Sequence, residues 1–225
     1  MSAIGVPFTF NVRNIADLVS HPRWLFGVAG NYWVHGGLPQ SRNYTVSQDA
    51  ALPVRRLGQS IDKNESLTRN DLRILREKWP RILIVKGIMH QQDAVAAADC
   101  GADGVVVSNH GGIACDSAMA PIDALPAVVA AAGPRLTVLI DGGFRRGSDV
   151  VKALALGAKA VLTGRATLYG TAAAGEAGAS CALEILHEEI HRTLAVIGCA
   201  SIADLTRDHV ILPSDGTAAG LPNQL

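Results

Sequence analysis

Polar residues and glycines that could carry chemistry follow four short apolar runs of this sequence. They are Lys86, residues 108–112 (Ser-Asn-His-Gly-Gly), residues 141–147 (Asp-Gly-Gly-Phe-Arg-Arg-Gly) and the pair Gly164 and Arg165. Histidine exchanges protons near neutral pH, and lysine supplies a positive charge. Glycines beside arginines let backbone N–H groups and guanidinium groups converge on an anion. The combination favours a site that binds a phosphate group and moves a proton.

The phosphate interpretation depends on the last two clusters. Gly142, Gly143 and Gly164 remove side chains where an anion would approach, and Arg145 and Arg165 can donate charge-assisted hydrogen bonds. The helix expected after the third cluster would add positive potential at its N-terminus. Either loop alone could serve only as a tight strand-to-helix turn. Two consecutive loops that each carry an arginine favour phosphate binding.

His110 and Lys86 also have plainer interpretations. A lone histidine is more often packed or capping than catalytic, and a lysine that ends an apolar run usually extends its charge into water. His110 follows a buried strand and precedes two glycines that leave space around it. This placement favours a catalytic role for His110 and a functional role for Lys86.

The elements that must position these residues repeat one pattern between residues 67 and 200. Apolar runs at 82–86, 104–108, 137–141 and 160–163 predict strands. Helical segments are predicted at 67–79 (with Thr68 as N-cap), 91–100, 121–132, 148–156 and 176–197. Strands without polar alternation are typical of a parallel sheet covered on both faces. Chemistry at each strand's carboxyl end indicates an α/β fold of the (β/α)₈ TIM-barrel type.

A closed barrel needs eight strand-helix units, and the sequence supplies four clear ones. Either residues 1–60 hide further strands, or the chain is part of a barrel. The composition of residues 1–60, with scattered aromatics, prolines and glycines, favours the second alternative. We therefore expect an irregular loop or insertion segment at 1–60 and the C-terminal half of a barrel at 61–225.

Composition excludes several classes of protein. Hydrophobic residues make up 48% of the 225 residues and the formal net charge is zero, which favours a globular fold and gives no reason to expect a nucleic-acid partner. The four cysteines show no C-x-x-C pair and no metal-ligand spacing, so we expect no metal from them. No signal peptide and no run of 18 apolar residues is apparent, so a cytoplasmic location is expected.

The clusters resemble one known family. The run Ser108-Asn109-His110-Gly111-Gly112, the run Asp141 to Asp149, and an Ala-Leu-Gly-Ala segment before Gly164 and Arg165 are similar to the FMN-dependent 2-hydroxy-acid dehydrogenases and oxidases, especially their mandelate dehydrogenase branch. Residues 21–24 and 197–199 add to this resemblance, which covers nearly the whole chain. It implies a TIM barrel, FMN as cofactor and oxidation of a mandelate-like or lactate-like 2-hydroxy acid.

The resemblance also assigns roles. His110 would take the substrate's hydroxyl proton while the α-hydrogen passes to the flavin as a hydride. Lys86 would face the N1 and O2 side of the flavin, and Ser108 would contact it. The FMN ribityl chain and phosphate would be held by Asp141, Gly142, Gly143, Phe144, Arg145, Gly164 and Arg165. The electron acceptor stays open among a quinone, a cytochrome and oxygen, and a homo-oligomer is expected.

Two departures from the family pattern bear on activity. The family continues its histidine motif with Arg-Gln-Leu-Asp, where this chain has Ile113, Ala114, Cys115 and Asp116. The arginine that would bind the substrate carboxylate is therefore Ile113. The chain is also expected to begin after the family's first four strand-helix units. A catalytically impaired fragment that keeps only the flavin-phosphate site is thus an alternative to an active enzyme. A flavin-free aldolase or epimerase with Lys86 as Schiff-base lysine is disfavoured by His110 and its two glycines.

Residues 20–45 are expected to form a mobile surface segment. Its aromatic and apolar residues stand among basic ones: Trp24, Leu25, Phe26, Tyr32, Trp33 and Val34 with His21, Arg23, His35 and Arg42. Such a mixture suits peripheral contact with the inner face of a membrane. A loop packed over the active site, or a subunit contact, is the alternative.

Overall fold

The computed structural model of the chain describes residues 11–34, 40–45, 51–53, 67–113 and 115–212. The chain divides into two compact units, Met1–Ser66 and Leu67–Leu225, so the division falls at residue 66 where the sequence predicts it at 60. No helix among the described residues is both long and apolar enough to cross a bilayer.

The first unit contains helices where the sequence predicts an irregular segment. Helix α1 (Val12–Ser20) begins at Asn11, whose Oδ1 accepts the Asn14 N–H at 2.8 Å. Helix α2 (Pro22–Trp24) starts on a proline, which suits the first helical position, and continues through a π-helical turn (Leu25–Ala29) into α3 (Gly30–Val34). The frequent glycines and prolines of this region are typical of loops, so the sequence did not predict these helices. Strands β1 (Gln40–Thr45) and β2 (Ala51–Pro53) pair antiparallel.

The second unit is a four-stranded parallel sheet with helices between its strands, as the sequence predicts. Its strands are β3 (Ile84–Ile88), β4 (Gly104–Val107), β5 (Thr137–Asp141) and β6 (Ala160–Leu162), paired in that order. Its helices are α4 (Arg69–Lys78), α5 (Gln91–Asp99), α6 (Pro121–Ala132), α7 (Gly147–Ala155) and α8 (Arg165–Val196). Thr68 caps α4 as predicted, in a capping box with Asp71.

The core lies where β4 and β5 pack against the helices. Val105 pairs with Val138 and Val107 with Ile140 across the two strands, and all four side chains are buried. Leu125 of α6 packs against them and is also fully buried. Burial of one such side chain contributes about 1.5–3 kcal/mol. These central strands therefore fix the carboxyl ends from which the polar clusters project.

Helix α8 is longer than the sequence predicts, because it starts at Arg165 and not at residue 176. It breaks at Ala174 and Gly175, and Gly175 has a positive φ of 60°. The two arms pack closely, since a Cβ on Gly170 would overlap the carbonyl of Gly178. Within its second arm, Leu186 and Leu194 are buried and Ile190 is partly buried, whereas Leu183 and Ile197 are exposed.

Candidate active site

Three polar side chains from three adjacent strands meet at the carboxyl edge of the sheet. Lys86 Nζ donates to Ser108 Oγ at 2.9 Å and lies 2.8 Å from Asp141 Oδ2. Ser108 is 1% exposed, and Asp141 Oδ1 is buried without a hydrogen-bond partner among the described residues. A buried carboxylate oxygen without a donor is costly. It is therefore a ready acceptor for a hydroxyl group of a ligand.

His110 lies directly beside this cluster. Its backbone N–H donates to Ser108 Oγ at 3.1 Å, so the hydroxyl that contacts Lys86 also holds the histidine loop. Among the described residues, His110 is the one non-glycine residue with positive φ, at 56°. Such a conformation in a bulky residue is strained and is frequent at functional sites.

Gly87 is a site residue that sequence reasoning missed. It has a φ of 100°, and a Cβ there would lie 2.9 Å from Cε1 of the His110 ring. The imidazole therefore occupies the space that any side chain at position 87 would need. The available signal was a glycine placed within an apolar strand, which often marks a close approach of another group.

Asn109 shapes the loop that carries the histidine. Its Oδ1 accepts the Gly111 N–H at 3.0 Å, and its Nδ2 donates to the Met119 carbonyl at 3.3 Å. These bonds hold Asn109, which is the N-cap of a short 3₁₀ turn (His110–Gly112). Ile113, which follows the turn, is 91% exposed. Its side chain is thus available to solvent or to a bound ligand.

The loop after β5 differs from the predicted anion site in one respect. The backbone N–H groups of Arg145 and Arg146 donate to Asp149 Oδ2 at 3.2 and 3.1 Å, and the Gly147 N–H donates to Glu189 Oε2 at 2.7 Å. Two carboxylates therefore occupy the N-terminus of α7, so the positive potential expected there is reduced. Gly142 and Gly143 keep positive φ angles of 94° and 84°, and no atom of the described residues lies within 4 Å of a Cβ at Gly143.

The N-terminus of α8 is more open to a ligand than the N-terminus of α7. Gly164 stands at its N-cap without a side-chain cap, and a Cβ there would meet no atom within 4 Å in the part of the chain that the structure describes. The guanidinium of Arg165 lies against the histidine loop, with one terminal nitrogen 3.4 Å from a Cβ built on Gly111. The loops after β4 and β6 thus approach each other, and free backbone N–H groups at a helix start favour an anion.

The remaining predicted residues take different positions. Phe144 is buried within the main core, so only its backbone is available to a ligand. The Arg145 side chain is exposed. The structure therefore brings together Lys86, Ser108, His110 and Asp141, and places Gly142, Gly143, Gly164 and Arg165 on neighbouring loops of the same edge.

Comparisons with known proteins show the family of this chain. Residues 2–212 match the model of the family described as FMN-dependent dehydrogenase. The chain belongs to this family. It is 45% identical to (S)-mandelate dehydrogenase of Pseudomonas putida over 205 residues, which are 91% of this chain and 50% of that protein. It is 47% identical to L-lactate oxidase of a Nostoc species over 142 residues, which are 63% of this chain and 39% of that protein.

Solved structures give the same picture. A crystal structure of the monotopic membrane protein (S)-mandelate dehydrogenase matches with a TM-score of 0.80 and 45% identity, over 92% of this chain and 53% of that chain. The match confirms the expected TIM-barrel fold over a partial region. The chain spans about half the length of the relatives it matches.

The residues at the strand ends fit the cofactor of this family. FMN carries hydroxyl groups on its ribityl chain and a terminal phosphate. The unpartnered Asp141 Oδ1 can accept from a hydroxyl, and the open backbone at Gly143 and Gly164 leaves room for a phosphate next to Arg165. Among the described residues, no atom lies within 4 Å of a Cβ built at either of these two glycines.

Proposed function

We propose that the protein takes part in the FMN-dependent oxidation of a mandelate-like or lactate-like 2-hydroxy acid to the 2-oxo acid. The observation that carries the proposal is the cluster of Lys86, Ser108 and Asp141 with His110 directly beside it. These residues lie at the carboxyl ends of parallel strands, which is where barrel enzymes hold their active sites.

In this proposal His110 is the general base. Its ring packs on Gly87, and its backbone is tied to Ser108 Oγ at 3.1 Å, so the imidazole has a fixed position. One ring nitrogen takes the hydroxyl proton of the substrate, a step that a positioned base accelerates by about 10²–10⁴-fold. A bound FMN would supply the acceptor for the hydride of the substrate's α-carbon.

Lys86 and Asp141 would position the cofactor. The ammonium of Lys86 is held by Ser108 and Asp141, so it would supply a preorganised positive charge beside the flavin ring. Asp141 has a second carboxylate oxygen free for the ribityl chain. The loops with Gly142, Gly143, Gly164 and the guanidinium of Arg165 would hold the phosphate.

Two experiments test this function. An absorption spectrum of the purified 225-residue chain is expected to show bound flavin. For turnover, the chain should be joined to the half of the P. putida mandelate dehydrogenase that it does not span, and then assayed with (S)-mandelate and L-lactate. Loss of turnover in His110→Asn with flavin retained would support the assignment, whereas a flavin-free chain would contradict it.

A catalytically impaired protein is the second candidate, and Ile113 favours it. The resemblance places a carboxylate-binding arginine at this position, and the exposed Ile113 side chain carries no donor. This candidate predicts bound flavin in the first experiment and little turnover in the second. The electron acceptor and homo-oligomeric assembly are further proposals, for which stopped-flow reoxidation by quinone, cytochrome or oxygen and analytical ultracentrifugation are the measurements.

We also propose that the first unit contacts a membrane surface. Trp33 is 90% exposed, and Val34, Phe26 and Val12 are exposed as well. Exposed apolar side chains next to Arg23 suit the boundary between headgroups and acyl chains. Co-sedimentation with anionic liposomes is expected for the wild-type chain and reduced in Trp24→Ser with Trp33→Ser. Equal co-sedimentation of both proteins would remove the proposal.

A further inference from the structure

Two histidines of α8 form a pair at the protein surface. His187 and His191 lie one helical turn apart, and their Nε2 atoms are 3.2 Å from each other. The rings are nearly perpendicular, with centroids 4.5 Å apart and an angle of 85° between their planes. Both side chains are exposed, so the space around the two nitrogens is open to solvent.

This separation matches the bite of a metal chelate. An ion held at about 2.0–2.1 Å from each nitrogen with a tetrahedral angle between them requires nitrogens about 3.3 Å apart. Imidazole suits the late divalent ions of the first transition row, including Zn²⁺, Ni²⁺ and Cu²⁺. We propose that His187 and His191 form a binding site for a divalent first-row transition ion through their Nε2 atoms, with water in the remaining positions.

Contacts of α8 with the rest of the unit fix the backbone that carries the two histidines. On the face toward the core, Leu186 and Leu194 are buried. Glu189 connects the same turns to α7, because its carboxylate lies 3.2 Å from Arg146 Nη1 and accepts the Gly147 N–H at 2.7 Å. The turns that carry both histidines are thus fixed by these contacts, and little order has to be gained when an ion binds.

The surrounding sequence decides what the site can do. Residues 187–191 read His-Glu-Glu-Ile-His, the spacing with which zinc peptidases supply two ligands and a general base. The described part of the chain, however, holds no group of three His, Cys, Asp or Glu placed to share an ion. Peptidase sites use three protein ligands. The pair therefore binds an ion without forming a hydrolytic centre.

The pair can be tested by exchanging two neighbouring residues. In the double variant His191→Arg with Arg192→His the composition and charge are unchanged, but the second imidazole moves from position i+4 to i+5. It then points about 100° further around the helix and cannot reach the ion of His187. Isothermal titration calorimetry with Ni²⁺ on the full 225-residue chain compares the two proteins, and His187→Gln serves as a second variant. Circular dichroism verifies that helix content is equal.

We expect one Ni²⁺ per wild-type chain at this site and a loss of about 10²-fold or more in affinity in both variants. The loss arises because the second ligand then no longer acts at the high effective concentration that the helix provides. Binding by other histidines and cysteines is common to all three proteins and cancels in the comparison. Equal Ni²⁺ affinity in wild type and variants, or no binding by the wild type, would show that the two rings are only hydrogen-bonded.

Discussion

Lys86 of β3 and Asp141 of β5 form an ion pair across the end of β4, with Nζ and Oδ2 2.8 Å apart. The two strands are not neighbours in the sheet, since β4 lies between them. Ser108, at the end of β4, accepts from the same ammonium. One lysine thus joins three strand ends, and the pair contributes both to folding and to the site.

The first prediction concerns the contribution of this pair to stability. Lys86→Met leaves the largely buried Asp141 carboxylate without its partner and is expected to lower the free energy of unfolding by about 1–3 kcal/mol. Because the lysine is 41% exposed, the coupling in a double-mutant cycle with Asp141→Asn should be only about 1 kcal/mol. Urea unfolding measures both values. Lys152→Met on the exposed face of α7 is the control, and an equal effect there would contradict the prediction.

The second prediction separates cofactor binding from folding. Arg165→Ala should weaken FMN binding by about 1.5–3 kcal/mol, the range for a charge-assisted contact. Gly164→Ala should also weaken it, because the added methyl fills the approach to the helix start, yet it meets no atom of the protein and should cost under about 1 kcal/mol of stability. Flavin fluorescence titration and thermal unfolding measure the two quantities.

A matched control for this experiment is Arg135→Ala, which removes a surface ion pair with Asp99 and leaves the strand ends untouched. FMN affinity should not change in that variant. Undiminished FMN affinity in Arg165→Ala and Gly164→Ala would mean that the phosphate lies elsewhere.

The third prediction tests the contact between Gly87 and His110. Gly87→Ala places a Cβ 2.9 Å from the imidazole of His110 and should displace the ring. In the chain joined to the complementary half of the P. putida mandelate dehydrogenase, turnover should therefore fall by about 10²–10⁴-fold. Gly101→Ala is a matched control, because it has a similar positive φ of 85° but lies against Arg76. Both variants should lose about 1–3 kcal/mol of stability through backbone strain. If Gly101→Ala reduced turnover as strongly, strain alone would explain the loss.

The fourth prediction concerns acid sensitivity. The Leu83 backbone N–H, together with Arg76, holds the pKa of Asp103 below its ordinary value. A carboxyl group whose pKa is lower in the folded than in the unfolded protein stabilises the fold at pH values above its pKa in the unfolded protein. This contribution is lost as the pH falls through its pKa in the folded protein. Asp103→Asn should therefore be less stable than wild type at pH 7, and the difference should shrink below about pH 4. Urea unfolding at several pH values, with exposed Asp208→Asn as control, tests this; a difference that is independent of pH would contradict it.

Local sequence signals predicted the second unit well. Unbroken apolar runs mark β4, whose four residues are all buried, and β5, whose Val138 and Ile140 are buried. Thr68 marks the start of α4 because its capping bonds are local. The chemical cluster followed from the same signals, since parallel strands place their carboxyl ends on one edge.

The features that were missed depend on contacts between distant residues. Glu189 reaches the start of α7 from 42 positions away, and the imidazole of His110 fills the space above Gly87. The first contact has no local signature, and the second is signalled locally by no more than a glycine within an apolar strand. The first arm of α8 was missed because Gly164, Gly170 and Gly175 suggest a loop, whereas Gly170 serves the close packing against Gly178.

The last prediction concerns Ile113. The resemblance to the family places an arginine here, and an arginine would pair with the substrate carboxylate through two charge-assisted hydrogen bonds. Isoleucine has no donor. Loss of one partner of such a pair costs about 2–5 kcal/mol, which corresponds to roughly one and a half to three and a half powers of ten in kcat/KM. Because Ile113 is exposed, Ile113→Arg should fold without overpacking the core.

The comparison is made in the chain joined to the complementary half of the P. putida mandelate dehydrogenase. Ile113→Arg should raise kcat/KM for (S)-mandelate within that range, and Ile113→Gln should raise it less, because a neutral amide donates hydrogen bonds but carries no charge. The flavin spectrum should be the same in all three proteins, since residue 113 follows the histidine loop and not the phosphate loops. If the isoleucine protein already oxidises 2-hydroxy acids as fast as the arginine variant, then another group binds the carboxylate. Arg145 and Arg165 are the first to be replaced by alanine in that case, because both lie on loops of the same edge of the sheet.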